Sequence, residues 1–200
     1  MVRSGNIGSV RIGQKVGEDK FRLFLSKIGI LDEMIFDIQE VGKPIKFNWG
    51  KCPLATASFG HGITTTLIQL AKAYSIIVNG GYNVHPKLIM NSKKNKKEKI
   101  LNEEVSSKIL PILRKIVTTK EGTASLANVD GYEIGGKTGT AQKSIAGGYS
   151  KKKINTFVSI FPTSKPKFVL AVMLDEPKTN QEYIYHYRDG SNIKYKGTPY

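Results

Sequence analysis

Residues 131–143 read Gly-Tyr-Glu-Ile-Gly-Gly-Lys-Thr-Gly-Thr-Ala-Gln-Lys, and this run constrains the chain more than any other. Lys137 and the hydroxyls of Thr138 and Thr140 are set among Gly131, Gly135, Gly136 and Gly139. Glycines offer a side chain nothing to pack against and let another backbone or a ligand approach closely, so packing alone does not place a lysine there. Two backbones accommodate the letters. In one, Lys137-Thr138-Gly139 lies on a strand edge. In the other, Gly131-x-x-x-x-Gly136-Lys137-Thr138 is a phosphate loop, and the apolar run 169–174 closing on Asp175 and Glu176 is its companion strand.

A phosphate loop opens directly into a helix, whose N-terminus supplies much of the anion binding. Residues 139–148 read Gly-Thr-Ala-Gln-Lys-Ser-Ile-Ala-Gly-Gly, without a helical apolar stripe. The alternation Tyr132, Ile134, Gly136, Thr138, Thr140 fits one extended strand better. A strand is therefore the expectation, and a phosphate-loop nucleotide-binding protein the alternative.

Charge raises another possibility. Lysine and arginine total 31 against 16 acidic residues, a formal net charge of +15. Only five of the 31 are arginines, the residue that nucleic-acid readers use for bidentate and stacking contacts. The expectation is a solvated lysine surface with no nucleic-acid partner; a non-catalytic basic binding module is the second alternative. Cys52 is the single cysteine, which excludes an intrachain disulfide and a multi-cysteine metal site. No apolar run is long enough to suggest a membrane span.

Around the central stretch, apolar periodicity predicts four helices. A buried one carries Ile7, Val10, Ile12 and Val16, and a second carries Phe21, Phe24, Leu25 and Ile28. A third follows the hydroxyls of 64–66, with Leu67, Leu70, Ala71, Tyr74, Ile77 and Val78 on one face. A fourth runs over 102–119, capped by Asn102, with a kink expected at Pro111. Residues 32–54 read as loop and short strand, 55–62 as a small-residue turn, 84–90 as a strand and 144–153 as a loop. Residues 156–161 and 168–174 read as a hairpin joined by the turn 162–167. The second of these strands is apolar on both faces, so it is expected at the centre of a sheet covered on both sides. The last 25 residues read as a loop.

With these elements in order, the chain resembles the transpeptidase domain of class B penicillin-binding proteins, of the kind that cross-links peptidoglycan at the division septum. Ser4-Gly-Asn6 matches the family's Ser-x-Asn motif. Ser58-Phe-Gly-His-Gly62, the run from Thr66 to Tyr74 and Asn79-Gly-Gly81 follow, then Gly122-Thr123 and the Lys137-Thr-Gly stretch. The resemblance implies an α/β (α+β) fold of the penicillin-binding/β-lactamase-like transpeptidase type, a mainly antiparallel central sheet flanked by helices. It implies that 1–200 is a partial transpeptidase domain, without the family's upstream Ser-x-x-Lys segment or its C-terminal closing helix. Leu67 stands where the family usually has proline.

The parent activity so implied is that of a serine D,D-transpeptidase and β-lactam target, this fragment alone being inactive. The family's serine attacks the carbonyl of the penultimate D-alanine of a stem peptide, and Ser-x-x-Lys supplies it. Tetrads of that form occur at Ser150/Lys153, Ser164/Lys167 and Ser191/Lys194, all in loop or turn sequence after Lys137. A nucleophile of this kind needs a helix that puts the lysine one turn away, so all three are set aside. By resemblance, Ser4 relays protons, Asn6 bonds the substrate amide and Lys137 bonds Ser4 and holds a positive field over the site. Thr138 and Thr140 hold the substrate carboxylate, the Thr140 N–H is an oxyanion donor, and Gly139 leaves room for a substrate strand. Without Lys137, Ser4-Gly-Asn6 would read as a helix cap. His61, Cys52, Asp175 and Glu176 take structural readings.

No cofactor or metal is implied. Partners implied for the parent are D-Ala-D-Ala stem peptides, β-lactams and divisome or elongation proteins. Its implied location is the periplasmic face of the bacterial inner membrane, held by an N-terminal anchor outside this chain.

Overall fold

The computed structural model describes residues 1–34, 37, 42, 44–89, 97–145, 148–178, 182, 184–186 and 192–194. Helices α1 (Asn6–Val16) and α2 (Glu18–Lys27) open the chain, parted by Gly17 at φ +83. Glu18 and Asp19 occupy the first turn of α2, where the helix dipole favours carboxylates. The expectation that α1 is buried fails. Ile7 and Ile12 are 74% and 67% exposed, and the residue that packs is Gly13, where a Cβ would collide with the Ser58 hydroxyl. A small residue, invisible to apolar periodicity, makes the close approach to α3 (Lys51–Ala57). Helix α3 is itself a correction to the expected loop and turn. Pro53 falls within its first turn, where the missing N–H costs nothing.

Helix α4 (Leu67–Val78) starts at a reciprocal capping box. The Gln69 N–H donates to Thr66 Oγ1 at 3.2 Å, and the Thr66 N–H donates to Gln69 Oε1 at 2.9 Å. Gln69 is 1% exposed because its amide is used up, Nε2 donating to the Asp32 carbonyl at 2.8 Å. The buried line of α4 is therefore Gln69, Ala73, Ile76 and Val78, rotated from the expected stripe that begins at the exposed Leu67. Periodicity counts a glutamine as outside; a satisfied glutamine can be inside.

Helix α5 (Glu103–Thr118) is capped by Asn102, whose Oδ1 accepts from the Glu104 N–H at 3.1 Å. It runs unbroken through the exposed Pro111. Leu113, Ile116 and Val117 on α5 join Val78, Ala124 and Ile160 in the main core. Ile116 and Ile160 are fully buried; each such side chain contributes roughly 1.5–3 kcal/mol. A second cluster gathers Ile28, Ile30, Ala73 and Ile76.

The main sheet has the order β1-β2-β3, all antiparallel, with β1 (Gly135–Ile145), β2 (Gly148–Phe161) and β3 (Phe168–Asp175). Helix α5 lies on β1 and α4 on β3. Two expectations change here. Residues 144–145 and 148–153 continue the β1–β2 hairpin instead of forming a loop, with an irregularity between Gln142 and Ser144. Cross-strand pairs at Lys153, Tyr149 and Gly148 hold this stretch, and the Lys152 N–H donates to Ser150 Oγ at 2.8 Å, without any apolar pattern to announce it. Strand β3, expected to be central and covered on both sides, is an edge of this sheet among the described residues: Val169 and Ala171 face the helices while Phe168, Leu170, Val172 and Leu174 are exposed. Residues 84–89 form no strand, though Tyr82 bridges Lys99. In the final loop region, short strands β4 (Ile184–His186) and β5 (Asn192–Lys194) pair antiparallel.

Candidate active site

Strand β1 carries Lys137, Thr138, Gly139 and Thr140 along the outer edge of the main sheet, with Lys137 opposite Val158. The phosphate-loop alternative fails at this point. No helix starts at Lys137, and Asp175 and Glu176 lie two strands away, bonded to Lys143 at 2.6 and 2.8 Å.

Close packing behind β1 explains the glycines. A Cβ on Gly136 would stand 2.6 Å from the Val158 carbonyl and 2.8 Å from the Phe157 ring. One on Gly135 would press on the backbone of α5 at Arg114, 3.1 Å away. Arg114 also tethers the approach to the strand, Nη1 donating to the Ile134 carbonyl at 2.6 Å. At Gly139 the neighbour is Thr156 Oγ1, 2.6 Å from a would-be Cβ, so β2 as well as an incoming ligand sets the limit there.

The Lys137 ammonium donates to Ser4 Oγ at 2.7 Å and to the Thr138 carbonyl at 2.7 Å. Burial pushes it below the ordinary lysine value of 10.5, since a less hydrated site disfavours the charged form. Ser4 has φ +54, a left-handed conformation that an L-residue holds only when its surroundings impose it. Its N–H is tied to the Met1 carbonyl at 3.0 Å, and the neighbouring Arg3 guanidinium meets Glu121 Oε1 at 2.9 Å. The cap of α1 is Gly5, and no side chain caps that helix, so the helix-cap reading of Ser4 is not realised. Asn6 is the first residue of α1, exposed beside Ser4.

Strand alternation puts Thr138 and Thr140 on one face and Lys137 on the other. Thr140 is exposed; Thr138 Oγ1 donates to Thr123 Oγ1 at 2.7 Å. Of the residues at this site, Arg3, Glu121 and Thr123 received no role from sequence reasoning. Gly122-Thr123 was visible as a motif, but nothing local ties it to a strand 15 positions on.

Ser150 lies in β2 within the register irregularity, and Ser164 lies in the turn after β2, its N–H bonded to Glu133 Oε2 at 3.1 Å. They sit toward opposite ends of the hairpin from Lys137, and neither is on a helix. Ser191 falls outside the described residues. The His61 ring lies 5.0 Å from that of Tyr149, edge to face, and Cys52 is exposed and unpaired. Among the described residues no cluster of side chains suits a metal ion, and no helix is long and apolar enough to cross a membrane.

The edge strand thus brings together a partly buried lysine bonded to a serine hydroxyl and two threonines on the opposite face. The chain belongs to the penicillin-binding protein transpeptidase domain family, whose model matches residues 1–191. It is 29% identical over 189 residues to the probable peptidoglycan D,D-transpeptidase FtsI of Caulobacter vibrioides, covering 88% of this chain and 32% of that protein. With stage V sporulation protein D of Bacillus subtilis it shares 34% identity over 191 residues, 88% of this chain and 29% of that one. The transpeptidase domain of Burkholderia pseudomallei penicillin-binding protein 3 superposes with a TM-score of 0.78 at 28% identity, over 86% of this chain and 54% of its own. Penicillin-binding protein 3 of Mycobacterium tuberculosis, complexed with aztreonam, gives 0.80 at 26% identity, over 87% and 44%. The chain spans about a third of the length of the curated relatives it matches. The expected mixed fold, helices with an antiparallel sheet, is the one these structures share. Neither alternative function finds support among the relatives.

Proposed function

We propose that this chain is the substrate-holding part of a peptidoglycan D,D-transpeptidase of the septal type, which cross-links stem peptides by serine acyl transfer and is acylated by β-lactams. The observation that carries the proposal is the Lys137–Ser4 hydrogen bond of 2.7 Å beside β1, an edge strand among the described residues. A stem peptide ending in D-Ala-D-Ala adds to that edge as an extra strand. Thr138 and Thr140 hold its carboxylate, and Asn6 takes its amide. The Lys137 charge steadies the developing oxyanion and keeps the Ser4 hydroxyl directed for proton transfer to the leaving amine. The attacking serine comes from a Ser-x-x-Lys helix outside residues 1–200. It attacks the carbonyl of the penultimate D-alanine, the terminal D-alanine leaves with a proton, and an amine of a second stem takes the acyl group.

The relatives named as peptidoglycan transpeptidases support this substrate class, and the aztreonam complex of a structural neighbour supports the β-lactam assignment. The parent protein then works on the periplasmic side of the inner membrane, anchored upstream, beside division or elongation partners.

Fluorescent penicillin tests the reading. The 200-residue chain should take up no covalent label, and the same chain extended upstream to include the Ser-x-x-Lys helix should be labelled on that serine. Labelling of the chain as it stands, mapped to Ser150, Ser164 or Ser191, would show that the nucleophile was wrongly set aside.

A further inference from the structure

Thr123 has no part in the proposed reaction, yet it stands against the strand that does. Its hydroxyl accepts from Thr138 Oγ1 at 2.7 Å, and its side chain is exposed to the same solvent as Thr140. The turn that carries it is closely packed. Gly122 is buried so tightly that a Cβ would collide with the Ile116 carbonyl, and the Ala124 N–H donates to that carbonyl at 3.2 Å. On the other side, Glu121 holds Arg3, the residue before Ser4, at 2.9 Å. Glu121-Gly122-Thr123 thus touches both halves of the site, the serine segment and the lysine strand.

The hydrogen-bond arithmetic of two hydroxyls gives Thr123 its role. A hydroxyl owns one proton, and a carboxylate can only accept. While Thr138 donates to Thr123, its lone pairs face outward and would repel an incoming carboxylate. To bind that carboxylate, Thr138 must turn its proton toward the ligand. Its oxygen is then free to accept, and Thr123 is the group within reach to donate. The chain becomes Thr123 O–H to Thr138 O–H to carboxylate, each bond polarising the next.

We propose that Thr123 is a positioning residue for carboxylate recognition, setting the direction of the Thr138 proton. The inference rests on the proposed function, since it needs a substrate carboxylate at Thr138. Its test is nuclear magnetic resonance titration of the 200-residue chain with N-acetyl-D-alanyl-D-alanine and with the C-terminal amide of the same dipeptide. The acid should move the methyl signals of Thr123, Thr138 and Thr140. Thr123→Val keeps the branched shape and removes the donor, and should weaken the acid by up to about tenfold, the scale of one neutral hydrogen bond. Thr123→Ser restores the donor and should bind the acid as the natural chain does. The amide should bind all three chains alike. Equal binding of the acid to Thr123→Val and the natural chain would overturn the inference, as would an equal loss for acid and amide, which marks a merely structural residue. If the natural chain shows no response at Thr138 and Thr140 and no preference for the acid, the proposed function fails and takes this inference with it.

Discussion

The Lys137 ammonium donates to the Ser4 hydroxyl at 2.7 Å across 133 positions of sequence. Neither residue is placed by its own neighbours. Ser4 is held in a left-handed conformation by a short turn and by the Arg3–Glu121 pair, and Lys137 is carried in by a strand laid against α5. Fixing two ends independently at hydrogen-bond distance is what the proposed acyl transfer requires, because reorganisation at the moment of reaction is then small.

That relationship sets the first expected outcome. In the upstream-extended protein, Lys137→Ala should slow acylation by a β-lactam on the order of a hundredfold or more, the usual scale for losing one electrostatic group at such a site. Time-resolved penicillin labelling measures it. A rate unchanged by the substitution would remove Lys137 from the mechanism.

The alkaline limb of ligand binding is the second. Burial lowers the Lys137 pKa below 10.5, so the lysine loses its charge at a lower pH than a free one. Affinity of the natural chain for N-acetyl-D-alanyl-D-alanine should fall as pH rises through that lowered value. Stability should move the other way. Folding disfavours the protonated form, so this group's penalty is full below the folded pKa and relaxes as pH climbs toward 10.5. Affinity that stayed flat until the ordinary lysine value would contradict the desolvation argument.

Gln69 provides a stability test away from the site. Gln69→Leu fits the space but leaves the Asp32 carbonyl and the Thr66 N–H without their partner. The cost should be about 1–3 kcal/mol, read as a lower urea midpoint at an unchanged slope. A neutral result would mean that water replaces the amide there.

Gly81→Ala should destabilise the chain more than an ordinary surface substitution. Gly81 has φ +86, a conformation costing an L-residue about 1–2 kcal/mol, and the added Cβ would also collide with the Leu101 carbonyl. Thermal unfolding is the measurement. Exposed ion pairs make the contrast: Lys108→Ala, which removes a pair with Glu104 on the solvent side of α5, should shift the midpoint little.

What could be read from the letters was whatever a few adjacent residues decide. Helices α4 and α5 carry their own caps at Thr66 and Asn102, β1 shows its alternation from Gly136 to Thr140, and the turn 162–167 announces the β2–β3 hairpin. The missed elements lack a local signal. Helix α3 begins beside a proline that happens to be harmless in a first turn, and the lysine-rich half of the hairpin is held by cross-strand pairing and by ion pairs of Lys143 and Lys152 with Asp175 and Glu176.

The site divides in the same way. Sequence determined its vocabulary: a lysine among glycines, two threonines in phase on a strand, a serine and an asparagine two apart, in an order that points to one family. Only the tertiary structure decided which groups meet. Apolar periodicity says that α1 has an apolar side and β3 two, but not that Gly13 makes the contact of α1, nor that β3 becomes an edge. It says nothing of Thr123 reaching Thr138, or of Glu121 reaching Arg3. Those contacts are set by where α5 ends and how its last turn folds back through Gly122, a summed consequence of core packing at Leu113, Ile116 and Ile160. Packing is a property of the whole chain at once, and a linear pattern of residue types carries no record of the distances it produces.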